Sequence, residues 1–392
     1  MSHLTRRSAL LGLASAFTLG RVSLALADAP TDKRFVVVIL RGALDGLSAV
    51  IPYGDAALVG LRGEIVPPAP LQDGGMLDLG GFYGLHPALA NLQAMYRDGE
   101  ALAVHAVAGP YRVRSHFEAQ DYLESGADHR LTSGWLNRAI EALSHSTAHG
   151  EALSIGVSVP LLMRGPATVA SWAPHGTAPL DADLYARIAA LNQSDRLLGP
   201  AIVEGLGERG FSASVTSGVE PPQNRYAFPA LAKAAGEMLR AENGPRIAAL
   251  EIGGWDTHTA QAQRLAGVLR QLDAGLTALK TGLGAAWRQT VVLTMTEFGR
   301  TVRMNGTKGT DHGTGTVAFV LGGAVAGGRV IADWPGLGTG KLLENRDLQP
   351  SCDLRSVAKG LLAQHLGLGK SALETVFPDS SAVGPIPRLV VT

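Results

Sequence analysis

Five short polar segments hold the residue types that bind metal ions and handle phosphate. They are Asp45 in RGALDGL, Ser115 and His116 in RSHFEAQD, Asp256 and His258 in GGWDTH, Glu297 in TEFGR, and Asp311 with His312 in GTDHGTG. Carboxylates mixed with imidazoles suit divalent cations such as Zn, Mn, Mg or Ca. Asp256 and His258 are one residue apart, so both can face an ion from a loop; alternatively Asp256 caps the helix that follows. Ser115 is the candidate nucleophile, with Arg112 and Arg114 just before it and His116 beside it. It opens a predicted helix whose free N–H groups favour an anion, although an ordinary Ser N-cap would read the same way. Arg300, three residues past Glu297, suits bidentate binding of phosphate or sulfate oxygens, or else a structural ion pair. Asp311 and His312 lie between Gly309 and Gly313, in a Gly-rich loop of the kind that often hosts function. No HExxH or GxSxG pattern is present, which argues against a zincin protease and a nucleophile elbow.

The elements that must position these residues follow from the apolar pattern. FVVVIL (35–40) and TVVLTMT (290–296) are continuous runs of the kind buried on both faces of a parallel sheet. Further strands are predicted over 101–107, 153–159, 168–170, 247–252, 317–321 and 330–331. Helices are predicted over 86–98, 115–124 (closed by Gly126), 226–241, 258–280 (ending at Gly282) and 354–366. The stripe Leu265, Val268, Leu269, Leu272, Leu276 and Leu279 has the 3.6-residue period of an amphipathic helix. Strands alternating with helices predict a three-layer αβα fold around a doubly wound, mostly parallel sheet. Ligands in such folds bind beyond the carboxyl ends of the strands. Asp45, Asp256 and Glu297 each follow a predicted strand, which is the argument for one shared site.

Residues 1–27 read as a twin-arginine signal: Arg6-Arg7, a modest apolar stretch, and Ala25-Leu26-Ala27 before Asp28. The apolar stretch is too short to span a bilayer, and no transmembrane helix is expected elsewhere. Export through the twin-arginine translocase, to the periplasm or outside the cell, follows. Residues 28–392 read as one α/β domain, with an insertion at about 171–223 that includes a helical pattern over 181–191. Removing the leader leaves a slightly acidic chain, so no nucleic-acid partner is indicated. Cys352 is the single cysteine, so no internal disulfide is possible.

Taken together, LRGALDGLSAVIPYGD, RSHFEAQDYLESG, EIGGWDTH, TMTEFGRTVRMNGTKGTDHGTG and GGRVIADWPGL resemble domain-of-unknown-function family 1501, a group of exported bacterial proteins. That family is grouped with the alkaline phosphatase and sulfatase superfamily, so the resemblance implies an alkaline-phosphatase-like fold with a metal site at the strand ends. It implies metal-binding roles for Asp45, Asp256, His258, Glu297 and His312, with Asp311 beside them, around one or two divalent ions. Asp256 and His258 match the superfamily's middle pair with one intervening residue rather than three, and Phe298 stands where a histidine belongs. The expected function is an exported metal-dependent hydrolase of a phosphate or related ester, small or polymeric. In that reading Ser115 attacks, His116 is adjacent, and Arg112 or Arg300 steadies the transferred group. The alternative is a non-catalytic descendant that binds a metal, polysaccharide or partner protein in the cell envelope.

Overall fold

The run Phe35–Leu40 has no polar face to offer water, so it is stable only when covered on both sides. The computed structural model, which describes residues 32–144, 152–156, 158–174 and 227–391, places it in strand β1 (Arg34–Arg41). Every residue from Phe35 to Leu40 is fully buried. The other strands of the main sheet are β2 (Ala101–Ala108), β3 (Ala152–Ile155), β4 (Val169–Trp172), β5 (Ile247–Gly253), β6 (Thr290–Met295), β7 (Thr316–Leu321), β8 (Arg329–Ile331) and β9 (Cys352–Asp353). The nine strands are ordered β8-β2-β7-β6-β1-β5-β3-β4, with β9 pairing onto β2. β7 pairs antiparallel with β2 and β6; the other pairings in this sheet are parallel.

Alternate residues of β1 enter different cores, as a period of two requires. Phe35, Val37 and Ile39 pack with α2 (His116–Ser125), α3 (Trp135–Ser144), α6 (Leu354–Leu366) and α7 (Lys370–Val376). Val36, Val38 and Leu40 pack with α1 (Ala90–Arg97), α4 (Phe228–Arg240) and α5 (Gln261–Leu283). The architecture is therefore three layers, helix–sheet–helix. Along α5 the stripe Leu265, Leu269, Leu272, Leu276 and Leu279 is at most 2% exposed, and each such side chain contributes roughly 1.5–3 kcal/mol of burial free energy.

This topology brings distant segments to one rim. β6, β1 and β5 are adjacent and parallel, with Arg41 opposite Gly253 and Ile39 opposite Met295, so their carboxyl ends lie side by side. β2 delivers the chain to α2 at the same edge. Because β7 runs the other way, its lead-in, residues 311–315, arrives at that rim too; Thr316 pairs with Val107.

Some local expectations shift. α1 begins at Ala90 rather than 86, because His86 precedes Pro87 and is steered out of the helical region. α5 begins at Gln261 rather than 258, so Asp256 does not cap it. Residues before it are tied elsewhere: the Ala260 and Gln261 N–H groups donate to the carbonyls of Thr307 and Lys308. Ser115 is at the N-cap position of α2 but makes no side-chain capping bond, while Gly126 closes that helix in the left-handed conformation. The leader (1–27), the helical pattern at 181–191 and nearly all of the segment 171–223 lie outside the described residues; Val169–Trp172 is strand. No described helix is long and apolar enough to cross a membrane.

Candidate metal centre

Three imidazoles and one carboxylate meet at the rim. Nε2 of His312 is 3.0 Å from Nε2 of His116 and 3.0 Å from Nε2 of His258. Asp256 Oδ1 is 3.2 Å from Nε2 of His312 and 3.0 Å from Nε2 of His258, and Asp256 Oδ2 is 3.6 Å from Nε2 of His116. The ligand atoms of His116, Asp256 and His312 all lie within 4.8 Å of one another.

The other nitrogen of each ring decides what these Nε2 atoms can do. His312 Nδ1 is 2.9 Å from the Arg114 carbonyl, which can only accept, so Nδ1 carries the hydrogen. His116 Nδ1 lies 2.8 Å from Glu297 Oε1, and His258 Nδ1 lies 3.0 Å from Asp311 Oδ1. Burial works to raise both carboxyls, but their hydrogen bonds outweigh it and hold both below the usual carboxylate range. They are therefore acceptors as well. In the neutral rings the Nε2 lone pair of His312 then meets those of His116 and His258 and the Asp256 carboxylate. Acceptors facing acceptors repel unless a cation sits between them. Ligand atoms 2.0–2.1 Å from a tetrahedral ion are separated by about 3.3 Å; within the trio His116, Asp256 and His312 the separations of 3.0, 3.2 and 3.6 Å lie around that value, and His258 meets the trio through His312 and Asp256. The donor set therefore fits a metal ion, with each imidazole backed by a second acceptor as metal-bound histidines usually are.

The surrounding residues make this geometry rigid. Trp255 is fully buried and its indole N–H donates to the Ile252 carbonyl at 2.9 Å, which pins the 253–258 loop and turns Asp256 outward. Gly42 has φ +121°, and a Cβ there would come within 2.9 Å of the Asp256 nitrogen. Its N–H donates to Glu297 Oε1 at 2.9 Å. Gly309 lets the 309–315 loop lie against His258, whose carbonyl a Cβ would approach to 2.2 Å. Phe298, nearly buried, packs its ring 5.0 Å from that of His116 and 5.1 Å from that of His312, giving the site an apolar wall. Arg300 is buried and donates to Asp256 Oδ1 at 2.5 Å and to Thr310 Oγ1 at 3.2 Å. Burial pushes the Asp256 carboxyl up, but Arg300, with His258 and His312, more than offsets this and holds it low.

The residues singled out from sequence fall into distinct places. Asp256, His258 and His312 are brought together, and His116, next to Ser115, joins them as a fourth possible ligand. Glu297 and Asp311 sit behind imidazoles instead of facing the ion position. Arg300 lies behind Asp256 and Thr310. Arg112 is exposed and folds back onto the carbonyls of Gly109 and Tyr111. Asp45, read as a ligand, is placed differently: it is 1% exposed and its Oδ2 pairs with the buried Arg62 and accepts from Ser48 and Gln261. Ser115 is exposed, one residue from His116. Gln120, which donates to Glu297 Oε1 at 3.0 Å, was not singled out; its place one turn past His116 on α2 was the available signal.

Glu297→Gln tests the support behind His116. The amide can donate to Nδ1 and move the ring hydrogen onto Nε2, against an ion. Metal affinity, measured by chelator competition, is expected to fall about 10–100-fold; unchanged affinity would mean His116 does not ligate through Nε2.

These features define a class: a three-layer αβα protein with a histidine-rich, metal-competent cluster beyond the carboxyl ends of its central strands. Residues 100–377 match the family described as protein of unknown function (DUF1501), and the chain belongs to that family. No curated protein matches the sequence. Among solved structures it is similar to Ps i-CgsB in complex with k-i-k-neocarrahexaose (10% identity, TM-score 0.44, covering 91% of this chain and 77% of that one). It is similar also to the C-terminal periplasmic domain of EcEptC from Escherichia coli in complex with Zn (10%, TM-score 0.35, 78% and 76%). A third is alkaline phosphatase from the Antarctic bacterium TAB5 (12%, TM-score 0.34, 76% and 94%). Likenesses this distant say nothing about the chemistry of the site.

Proposed function

We propose that this protein is an exported, metal-dependent hydrolase of a phosphate or related ester, working as one α/β unit from residue 28 onward. Nε2 of His116 and His312 and the Asp256 carboxylate would hold one divalent ion, and His258, beside His312 and Asp256, would complete the shell on binding. The observation that carries this reading is the close mutual approach of Nε2 of His116, Nε2 of His312 and the Asp256 carboxylate, with Nε2 of His258 beside the last two. Three nitrogens and one oxygen favour Zn²⁺ over Mg²⁺ or Ca²⁺, which take oxygen-rich shells. When bound, such an ion supplies Lewis acidity toward an ester oxygen. The first-turn N–H groups of α2, beginning at His116, would receive the anionic part of the ester. Ser115, exposed and free of a capping bond, offers the attacking hydroxyl. The leader would route the folded chain through the twin-arginine translocase to the periplasm or beyond, where the substrate is a small ester or an envelope polymer.

Protons compete for the same lone pairs. The Glu297 hydrogen bond raises the His116 pKa above 6.5, and burial only partly opposes it. Burial lowers that of His312. Apparent metal affinity is therefore expected to fall as pH drops, starting above pH 6.5 where His116 begins to take up its proton. The test is elemental analysis of protein purified from its own host, with turnover of phosphomonoesters, phosphodiesters and sulfate esters followed across pH. One ion per chain and metal-dependent turnover are expected. Full activity in a metal-free preparation defeats the proposal.

One observation favours a second reading, a non-catalytic metal or glycan-binding protein of the envelope. Four protein ligands close a tetrahedral shell, whereas catalytic zinc sites usually keep one position for water or substrate. One bound ion with no turnover on any ester, together with tight binding of an envelope component, selects that reading.

A further inference from the structure

We propose that Asp347, far in sequence from every segment that bears a ligand, is a positioning residue that holds two of the imidazoles in register; this rests on the metal-centre reading above. Asp347 is fully buried, and its Oδ2 accepts from Arg114 Nε at 2.9 Å, from Arg114 Nη2 at 2.7 Å and from Thr314 Oγ1 at 2.8 Å. Its Oδ1 accepts from Arg346 Nη1 at 3.1 Å. Arg114 is the residue whose carbonyl fixes the His312 tautomer, and it stands two residues before His116. Thr314 stands two residues after His312. One carboxylate oxygen thus joins the segment that leads into His116 to the segment that carries His312.

The backbone around Asp347 makes it a fixed anchor. Val302 N–H donates to the Arg346 carbonyl at 3.1 Å, and Gly315 N–H donates to the Leu348 carbonyl at 3.2 Å. Residues 346–348 are therefore stitched both to the chain beyond Arg300 and to the chain beyond His312. The bidentate grip on Arg114 needs a planar fork facing a charged oxygen. Without it the Arg114 carbonyl is free to turn, and Nδ1 of His312 loses the acceptor that aims Nε2. Glu344 provides an internal comparison: it pairs with the same guanidinium at 2.8 Å but is 59% exposed.

The experiment compares wild type, Asp347→Asn and Glu344→Gln. It measures Zn²⁺ affinity by chelator competition and the visible absorption of the Co²⁺-substituted protein, with thermal unfolding of each protein before and after loading. Asp347→Asn is expected to weaken Zn²⁺ about 10–100-fold and to change the Co²⁺ ligand-field bands, which report ligand geometry. Glu344→Gln is expected to leave both within about threefold, as an exposed partner should. A folded Asp347→Asn protein with wild-type affinity and bands overturns the proposal. If Asp347→Asn does not fold, Arg114→Lys takes its place, since it keeps the charge and loses the fork. It is expected to weaken Zn²⁺ in the same direction, and wild-type affinity there overturns the proposal equally. Wild type that binds neither ion defeats the metal-centre reading itself, an outcome distinct from a wild type that binds and an Asp347 variant that does not differ.

Discussion

Replacing His312 by alanine is expected to remove the metal and the turnover together while leaving the fold in place. His312 is the hub of the cluster: its Nε2 lies 3.0 Å from two other imidazole nitrogens and 3.2 Å from Asp256 Oδ1. Loss of a supporting hydrogen bond behind a ligand costs about 10–100-fold in metal affinity, and deleting the ligand must cost more than that. The side chain is 24% exposed at the rim, and the core on either face of the sheet does not depend on it. In the metal-free protein its removal even relieves a meeting of lone pairs. The thermal midpoint without metal should therefore stay close to wild type. The difference appears on adding Zn²⁺: an ion at 100 times its Kd stabilises the folded state by about 2.7 kcal/mol, and the variant should gain almost none of this. Dialysis followed by elemental analysis checks the same point. A His312→Ala protein that retains one ion per chain places the metal elsewhere.

The fold was legible because its strands are written in residues that only a covered sheet tolerates. Phe35–Leu40 and Thr290–Met295 announce themselves, and the polar segments that follow them reach the same rim because those strands are parallel neighbours. The reversal of β7 was not legible, since strand direction depends on what a strand pairs with rather than on its own composition. That reversal is what brings His312 to the rim. Residue type alone also could not separate ligands from their supports. Glu297 and Asp311 have the chemistry of ligands, but each is turned toward an imidazole Nδ1. A counting rule would have helped: every metal-bound histidine needs an acceptor for its second nitrogen, so three histidines call for three acceptors. Two of these are the carboxylates, and the third is the Arg114 carbonyl, which no sequence pattern marks. Ser115 was read as a helix cap or a nucleophile; it occupies the cap position without making the cap bond, which leaves the hydroxyl available.

Arg62→Met is expected to cost about 3–5 kcal/mol of unfolding free energy, the range for breaking a buried ion pair by removing one partner, and to leave metal content unchanged. Arg62 and Asp45 are each 1% exposed. The guanidinium pairs with Asp45 Oδ2 and donates to the carbonyls of Thr301 at 3.4 Å and Val302 at 3.3 Å. Gln261 Nε2 and the Ser48 hydroxyl also reach Oδ2, but they are neutral, and Asp45 Oδ1 has no hydrogen-bond partner. Arg62 is therefore the positive charge that lets a carboxylate sit in this interior. Burial lowers the Arg62 pKa and Asp45 acts against that, as expected of a cation kept charged by its partner. Methionine fills much of the volume but leaves the carboxylate uncompensated. The urea midpoint should fall accordingly, and the double variant Arg62→Met/Asp45→Leu should recover a large part of the loss, because an apolar pair of similar volume replaces a buried ion pair at little cost. The same variants decide the role of Asp45. If it served a second ion, Asp45→Leu would lower the metal count from two to one. With Asp45 already satisfied by a guanidinium, the count stays at one in wild type, in Arg62→Met and in the double variant, and Zn²⁺ affinity at the His116–His258–His312–Asp256 cluster changes little.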